Sequence, residues 1–180
     1  MVKKFFILIA LLFVIMGVLF TEKVKKERTF EYARYSFTDG TTYDAMTEAT
    51  RRIIRSVRSI PDADVPAIGP DRLKELVDTA VRPVTIIDVR KYKSFQTEHI
   101  EGAISIPIAE IEKRYTEIPW EGEVAVVLYC GSESCPLSFA ATKRLLALGF
   151  TNVMDLEGGL ELWKEKGYPV FKERSASAPQ

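Results

Sequence analysis

Residues 123–136 read EVAVVLYCGSESCP, and this stretch decides the fold. The apolar run that ends at Tyr129 is typical of a β-strand buried on both faces of a sheet. Small and polar residues then form a short loop, and Pro136 precedes an apolar pattern with helical spacing. A buried strand, a short loop and a helix in this order indicate one unit of a parallel α/β sheet.

The sequence on either side repeats this alternation of strands and helices. Asp71 is the expected N-cap of a first helix, and Gly149 ends the long helix that follows the loop. The predicted fold class is α/β, a doubly wound parallel sheet with helices on both faces, over residues 67–172, followed by a disordered tail over 173–180. We expect further strands at 84–89, 102–107 and 152–156, and helices at 72–79, 108–115, 137–148 and 160–166.

A partly helical spacer precedes this domain, over residues 22–66. Near 43–60, apolar residues recur at close to 3.6-residue spacing, and arginines lie largely on the opposite face. We interpret this amphipathic segment as a helix packed on the domain. A helix that rests on lipid headgroups is the alternative.

The amino terminus carries an apolar run of 16 residues, from Phe5 to Phe20. As a helix the run is about 24 Å long, so flanking residues must complete a span of about 30 Å. We predict a transmembrane anchor or uncleaved signal anchor over 1–21, because no pair of small residues marks a cleavage site. A cleaved signal and a buried core helix are the alternatives.

The expected localisation is a single-pass membrane protein with the lipid bilayer as a partner of residues 1–21. Lysines precede the apolar run, and more basic residues follow it, so the charge pattern allows both orientations. We expect the domain on the exported side, periplasmic or extracellular, and the cytoplasmic side is the alternative.

The composition disfavours two classes of function. The chain balances 25 Lys+Arg against 25 Asp+Glu, so it lacks the basic surplus with which proteins neutralise phosphates, and we expect no nucleic-acid partner. Two cysteines are too few for a disulfide scaffold, and together with one histidine they disfavour a zinc site. We therefore expect neither a metal nor a cofactor.

Cys130 is the candidate catalytic residue because it directly follows the buried strand. Ligands of open α/β sheets bind beyond the carboxyl ends of the strands. We expect backbone N–H groups of the loop and the start of the next helix to surround the thiol, lower its pKa and hold an anion. Such a thiolate suits attack on an anionic sulfur or phosphorus compound, whereas simple packing at a strand end is the alternative. The candidate substrate-binding residues are Gly131, Ser132, Glu133, Ser134 and Cys135.

Several short segments in a fixed order suggest a known family. They are Ile87-Asp88-Val89-Arg90, Phe95, residues 99–107, Leu128-Tyr129-Cys130, Gly149-Phe150, Asn152-Val153, Leu156-Glu157-Gly158-Gly159, Trp163 and Gly167-Tyr168-Pro169. With these segments the sequence resembles the rhodanese family over about residues 68–170. The resemblance implies a rhodanese-like α/β domain and a sulfurtransferase whose cysteine, here Cys130, takes up a sulfane sulfur as a persulfide. A small sulfur-containing anion such as thiosulfate or a polysulfide would donate the sulfur, and cyanide or a thiol, including a protein thiol, would accept it.

The loop departs from the family pattern because it lacks arginine. Many members carry a Cys-Arg-x-Gly-x-Arg loop, whereas residues 131–136 contain Glu133 and no basic residue. This departure weakens the case for tight binding of thiosulfate and argues against the related phosphatases, which clamp an oxyanion with arginine. A rhodanese module that binds or relays persulfide at the membrane without turnover is therefore an alternative.

Cys135 lies five residues after Cys130 and is a candidate resolving thiol. It would attack a persulfide on Cys130, release sulfide and leave a disulfide, which makes a thiol-disulfide element a third function. Packing under the helix and a structural disulfide are the alternatives.

Other polar residues have mainly structural interpretations. Asp88 and Arg90 end a strand at the same edge as Cys130, so they either line a pocket or form a buried ion pair. For His99, the only histidine, the resemblance implies a scaffold role, and a catalytic base is the alternative. The hydroxyls of Ser132, Ser134 and Ser138 either cap the helix or donate to an anion.

Overall fold

A parallel sheet of five short strands lies at the centre of the described chain. The structure is a computed structural model and describes residues 47–120 and 122–172. Its strands are β1 Ala67–Ile68, β2 Val84–Asp88, β3 Glu98–Ile100, β4 Ile104–Ser105, β5 Ala125–Tyr129, β6 Val153–Leu156 and β7 Val170–Lys172. The main sheet has the order β1-β6-β5-β2-β4 with every neighbouring pair parallel, and β3 pairs with β7 in a separate antiparallel ribbon. The predicted parallel sheet is confirmed, with β5 as its central strand.

Most of the helices that the sequence pattern predicts are present in the structure. They are α1 Glu48–Ser56, α2 Pro70–Thr79, α3 Tyr92–Thr97, α4 Ile111–Arg114, α5 Leu137–Ala147 and α6 Gly159–Glu165. The helix predicted at 108–115 is instead a short α4 between two 3₁₀ turns, Ile108–Glu110 and Tyr115–Glu117. The predicted cap is also wrong, because Gly69 is the N-cap of α2 and the Asp71 carboxylate pairs with Lys166 at 2.8 Å.

Each face of the sheet has its own apolar core. Successive side chains of a strand point to opposite faces, and all five residues of β5 are buried. Val126 and Leu128 contact one core, which includes α1, α4 and α5, while Val127 and Tyr129 belong to the other, which includes α2 and α6. The prediction of helices on both faces is confirmed.

The amphipathic helix α1 is part of the first core. Ile53, Ile54 and Val57 are at most 1% exposed and cluster with residues of α5. The interpretation of a helix packed on the domain is confirmed, and the lipid alternative is wrong for α1 because protein covers its apolar face. The core therefore begins before the predicted boundary at residue 67.

Lys143 fixes the segment after α1 against α5. Its ammonium group is buried, donates to the Ile60 carbonyl oxygen at 2.6 Å and pairs with the Asp62 carboxylate. A buried ammonium requires such partners, because an unpaired buried charge is very costly. This pair therefore holds the connection between α1 and β1 in one position.

The expected anchor over 1–21, most of the spacer and the tail over 173–180 lie outside the described residues. Among the residues that the structure describes, no helix has both the length and the apolar character needed to cross a membrane.

Replacement of Val57 by alanine should destabilise the protein by about 2 kcal/mol, because it removes two buried carbon atoms and leaves a cavity in the core. Val81→Ala is the matched control, since Val81 is 80% exposed while Val57 is fully buried. We expect the control to change stability by less than about 0.5 kcal/mol in urea unfolding of the full chain. Equal effects of the two substitutions would show that α1 does not unfold with the domain.

Candidate active site

Cys130 lies at the carboxyl end of the central strand, one residue beyond β5. The alternation along the strand directs its side chain into the core beneath α5, and that of Tyr129 into the opposite core. Cys130 is 1% exposed and Cys135 is 8% exposed, and both are free thiols. The predicted nucleophile and the predicted resolving thiol are thus both covered by protein.

Two carbonyl oxygens and the Ser138 hydroxyl lie around the Cys130 sulfur. Its thiol donates to the Cys135 carbonyl oxygen at 3.0 Å, the Ser132 carbonyl oxygen lies at 3.8 Å, and the Ser138 hydroxyl donates to the sulfur at 3.3 Å. The Cys135 side chain is also in hydrogen-bond contact with Cys130. The loop thus presents two carbonyl oxygens to a thiol that acts as a donor.

The expectation that the loop lowers the pKa of Cys130 is wrong for this arrangement. Burial raises the pKa of the Cys130 thiol well above its ordinary value, and the adjacent Cys135 side chain raises it further. The hydrogen bonds from the Ser138 hydroxyl and backbone N–H act in the opposite direction but are outweighed. In this conformation the sulfur is a protonated thiol at neutral pH.

Helix α6 explains why the loop adopts this orientation. The backbone N–H groups of Leu160 and Glu161 donate to the carbonyl oxygens of Cys130 and Gly131, both at 2.9 Å. Gly159, with φ +56°, allows this close approach, because a Cβ atom there would lie 2.6 Å from the Cys130 carbonyl oxygen. The start of α6 therefore binds the loop backbone.

The other candidate substrate-binding residues have different environments. Cys135 N–H donates to the Ser132 carbonyl oxygen at 3.1 Å, which closes the loop on itself. The hydroxyls of Ser132 and Ser134 share a hydrogen bond of 3.0 Å, and Ser132 is buried while Ser134 and Glu133 are exposed. Of the candidate substrate-binding side chains, those of Glu133 and Ser134 are therefore the ones most open to solvent.

Asp88 is the centre of a buried polar cluster at the same sheet edge. Its carboxylate accepts from the Arg90 backbone N–H at 2.9 Å and from the Arg90 guanidinium at 2.6 Å. The guanidinium also donates to the Glu98 carbonyl oxygen at 2.6 Å. Burial, and then the Asp88 carboxylate, raise the pKa of Tyr129, whose hydroxyl accepts from the Ile100 N–H at 3.1 Å. Asp88 and Arg90 thus form a buried ion pair, and Arg90 in addition lines the adjacent cleft.

Arg90 keeps its charge within this cluster. Burial opposes the charge, but the Asp88 carboxylate raises the pKa of the Arg90 guanidinium. The ion pair therefore fixes the guanidinium at this edge of the sheet.

A cleft of about 540 Å³ opens beside the loop. It contains cations and carboxylates together, and Lys164 in the cleft pairs with Glu98 at 2.7 Å. The cleft meets the loop at Gly131, on the side of α6, whereas the Cys130 side chain points beneath α5. The lining residues are Arg90, Glu98, Gly131, Leu160, Glu161, Lys164 and Glu165.

His99 is held by the short ribbon of β3 and β7. Its Nδ1 lies 2.7 Å from the Phe95 carbonyl oxygen, and its ring stacks on Phe95 and Phe171 with centroid distances of 3.8 and 4.8 Å. These contacts agree with the scaffold role that the resemblance implies.

Comparison with known proteins identifies this arrangement of strand, loop and helix. The family model described as Rhodanese-like domain matches residues 69–166, more than half of the chain. The chain belongs to the rhodanese-like domain family. The match includes β2, β5, the Cys130 loop and α6, so the site described above lies entirely within the rhodanese-like domain.

Several relatives have names that refer to sulfur transfer. The chain is 31% identical to a protein named Sulfurtransferase from Allochromatium vinosum, over 54% of this chain and 85% of that protein. It is 32% identical to the Thiosulfate sulfurtransferase GlpE from Coxiella burnetii, over 46% of this chain and 74% of that protein. A solved rhodanese-related protein from Thermoplasma volcanium is 30% identical, with a TM-score of 0.52, over 60% of this chain and 99% of that one. For other curated relatives the chain spans only 54% to 59% of their length.

Two features of this rhodanese-like site have only weak signals in the sequence. The anchoring of the loop by α6 depends on Gly159, and a pair of glycines directly after a strand indicates a tight turn but not the contact that it allows. Ser138 donates to the sulfur and lies eight residues beyond Cys130, so only the fold shows that the two side chains meet.

Gly159→Ala should destabilise the protein by about 2 kcal/mol more than Gly102→Ala, because overpacking against a backbone oxygen forces the loop to move. Gly102 is the matched control, since it has φ +80° but no atom within 4 Å of the added Cβ. We also expect faster alkylation of Cys130 in the Gly159 variant, measured by peptide mass mapping. Equal stability and equal alkylation rates in the two variants would contradict the role of α6 in closing the loop.

Proposed function

We propose that this rhodanese-like protein is a sulfurtransferase that carries sulfane sulfur as a persulfide on Cys130. One observation carries the proposal: the cysteine follows the central strand at the sheet edge where ligands of open α/β sheets bind. The family and the sulfurtransferase names of relatives support the reaction class.

The chemistry begins with loss of the hydrogen bond from the Cys130 thiol to the Cys135 carbonyl oxygen. Once the loop opens, water solvates the sulfur and its pKa falls, since burial is the largest cause of the raised value. The thiolate then attacks the outer sulfur of a donor. A new S–S bond forms to Cys130, and the donor's S–S bond breaks with its electron pair on the leaving group, which is sulfite for thiosulfate.

The charges near the loop favour polysulfide or persulfide donors over thiosulfate. Residues 131–136 provide no basic side chain, and the Arg90 guanidinium is already paired with Asp88 at 2.6 Å. The lining of the adjacent cleft contains three glutamates against Arg90 and Lys164. A compact dianion such as thiosulfate therefore finds little uncompensated positive charge, whereas the charge of a polysulfide is spread along its sulfur chain and the persulfide group of an organic donor carries a single charge.

We expect the full chain to consume sulfane sulfur from inorganic polysulfide, and Cys130→Ser to abolish this consumption because serine forms no persulfide. Cyanolysis of the remaining sulfane sulfur measures the uptake, and urea unfolding verifies that the variant is folded. Uptake of one sulfur per chain without turnover on cyanide or a thiol would favour the relay module. Equal consumption by the variant would refute the proposal.

We further propose that residues 1–21 anchor this domain in a membrane, on the exported side. The support is the sequence alone, namely the uncharged run of 16 residues from Phe5 to Phe20. A membrane location would bring the sulfur carrier close to thiols of other membrane proteins.

The full chain should sediment with membranes and resist extraction by carbonate, because an apolar helix in the bilayer is not released by salt or high pH. Replacement of Leu12 and Val14 by arginine should release it, since each charge at the centre of a span costs about 3 kcal/mol. Recovery of the unmodified chain in the soluble fraction would contradict the anchor.

A further inference from the structure

The two cysteines are neighbours in the closed loop. The Cys130 sulfur contacts the Cys135 side chain and lies 3.0 Å from the Cys135 carbonyl oxygen. A hydrogen bond of 3.1 Å from the Cys135 N–H to the Ser132 carbonyl oxygen closes the turn that holds the two cysteines together. Both sulfurs are reduced in the structure, so the contact is between two thiols.

From this contact we propose that Cys135 resolves the Cys130 persulfide, so that the protein releases the transferred sulfur as hydrogen sulfide and retains a Cys130–Cys135 disulfide. This inference rests on the proposed persulfide chemistry at Cys130. It adds a reaction, the reduction of sulfane sulfur, to the transfer of sulfur to an external acceptor.

The step balances in atoms and electrons. The Cys135 sulfur attacks the inner sulfur of the persulfide, on Cys130, and forms the new S–S bond. The bond between the Cys130 sulfur and the outer sulfur breaks, the outer sulfur leaves with the electron pair, and it takes the proton of Cys135 to form hydrosulfide. The sulfane sulfur is reduced by two electrons, and the two cysteine thiols are oxidised to the disulfide.

Burial favours Cys135 over an external thiol as the group that attacks the Cys130 persulfide. Cys130 is 1% exposed, so a thiol from another molecule reaches the inner sulfur only when the loop opens. Cys135 is already in contact, and an intramolecular acceptor behaves as if present at a very high effective concentration. The loop also provides no basic side chain to stabilise a persulfide anion. Both factors shorten the lifetime of the persulfide.

An external dithiol must reduce the disulfide before the next cycle. It contributes two electrons by thiol-disulfide exchange, through a mixed disulfide, and becomes a disulfide itself. The full cycle converts a sulfane-sulfur donor and a dithiol into hydrogen sulfide, the leaving group and an oxidised dithiol. Dithiothreitol is a suitable probe for this role.

To test this inference, the full chain is treated with inorganic polysulfide under anaerobic conditions. The donor is then removed and the intact mass of the protein is measured. The wild-type chain should lose two hydrogens, and Cys135→Ser should gain one sulfur atom at Cys130. Sulfide released after removal of the donor should be about tenfold lower for Cys135→Ser. With dithiothreitol and excess polysulfide, the wild type should release sulfide faster than the same mixture releases it without protein. Without donor, the wild type should stay reduced, which excludes oxidation by residual oxygen.

The outcomes separate this inference from the proposed function. A stable extra sulfur on the wild type, with no disulfide, would overturn resolution by Cys135 and leave the sulfurtransferase intact. A disulfide in the wild type without any sulfur on Cys135→Ser would also overturn it, because the disulfide would then form without a persulfide. No change of mass in either chain would refute the persulfide chemistry itself. A stable extra sulfur on the wild type would overturn resolution by Cys135 even if Cys135→Ser fails to fold.

Discussion

The backbone hydrogen bonds from α6 to the carbonyl oxygens of Cys130 and Gly131 are the constraint on which the site depends. Both are 2.9 Å long, and they occupy N–H groups at the start of the helix. With these two carbonyls directed to α6, the remaining loop turns back, and the carbonyl oxygens of Ser132 and Cys135 face the sulfur. A thiol satisfies such acceptors and a thiolate does not, so the closed loop favours the protonated form.

The two-faced sheet separates the sulfur from the adjacent cleft. The side chain at the end of a strand must point to one face, and Cys130 points beneath α5 while the cleft lies on the side of α6. Arg90, two residues beyond β2, lines this cleft. Its pairing with buried Asp88 holds the guanidinium in place, as a single charge could not remain there without a partner.

The sequence predicts the parts of the fold that depend on local pattern. Buried strands such as β2 and β5 are continuous apolar runs, and α5 ends beside a glycine, so their positions follow from short windows. The ribbon of β3 and β7 was missed because it joins two three-residue strands that are about 70 residues apart in the chain. The location of Cys130 at a strand end was predictable, but its raised pKa was not. Whether N–H groups or carbonyl oxygens face a sulfur depends on contacts with α6, which lies about 30 residues later.

The burial of the Cys130 thiol under the closed loop also determines which reactions compete at this site. Oxidation and alkylation require a thiolate that is accessible, and burial with a raised pKa suppresses both. Any donor must therefore wait for the loop to open, and the same opening is required for an external acceptor. Cys135 alone needs no second opening, because its side chain contacts Cys130 within the closed loop. When opening is slow relative to the attack of one thiol on another, closure after sulfur uptake favours the internal acceptor. The closed loop would then first exclude donors from Cys130. After sulfur uptake it would favour release of hydrogen sulfide over transfer to an external acceptor.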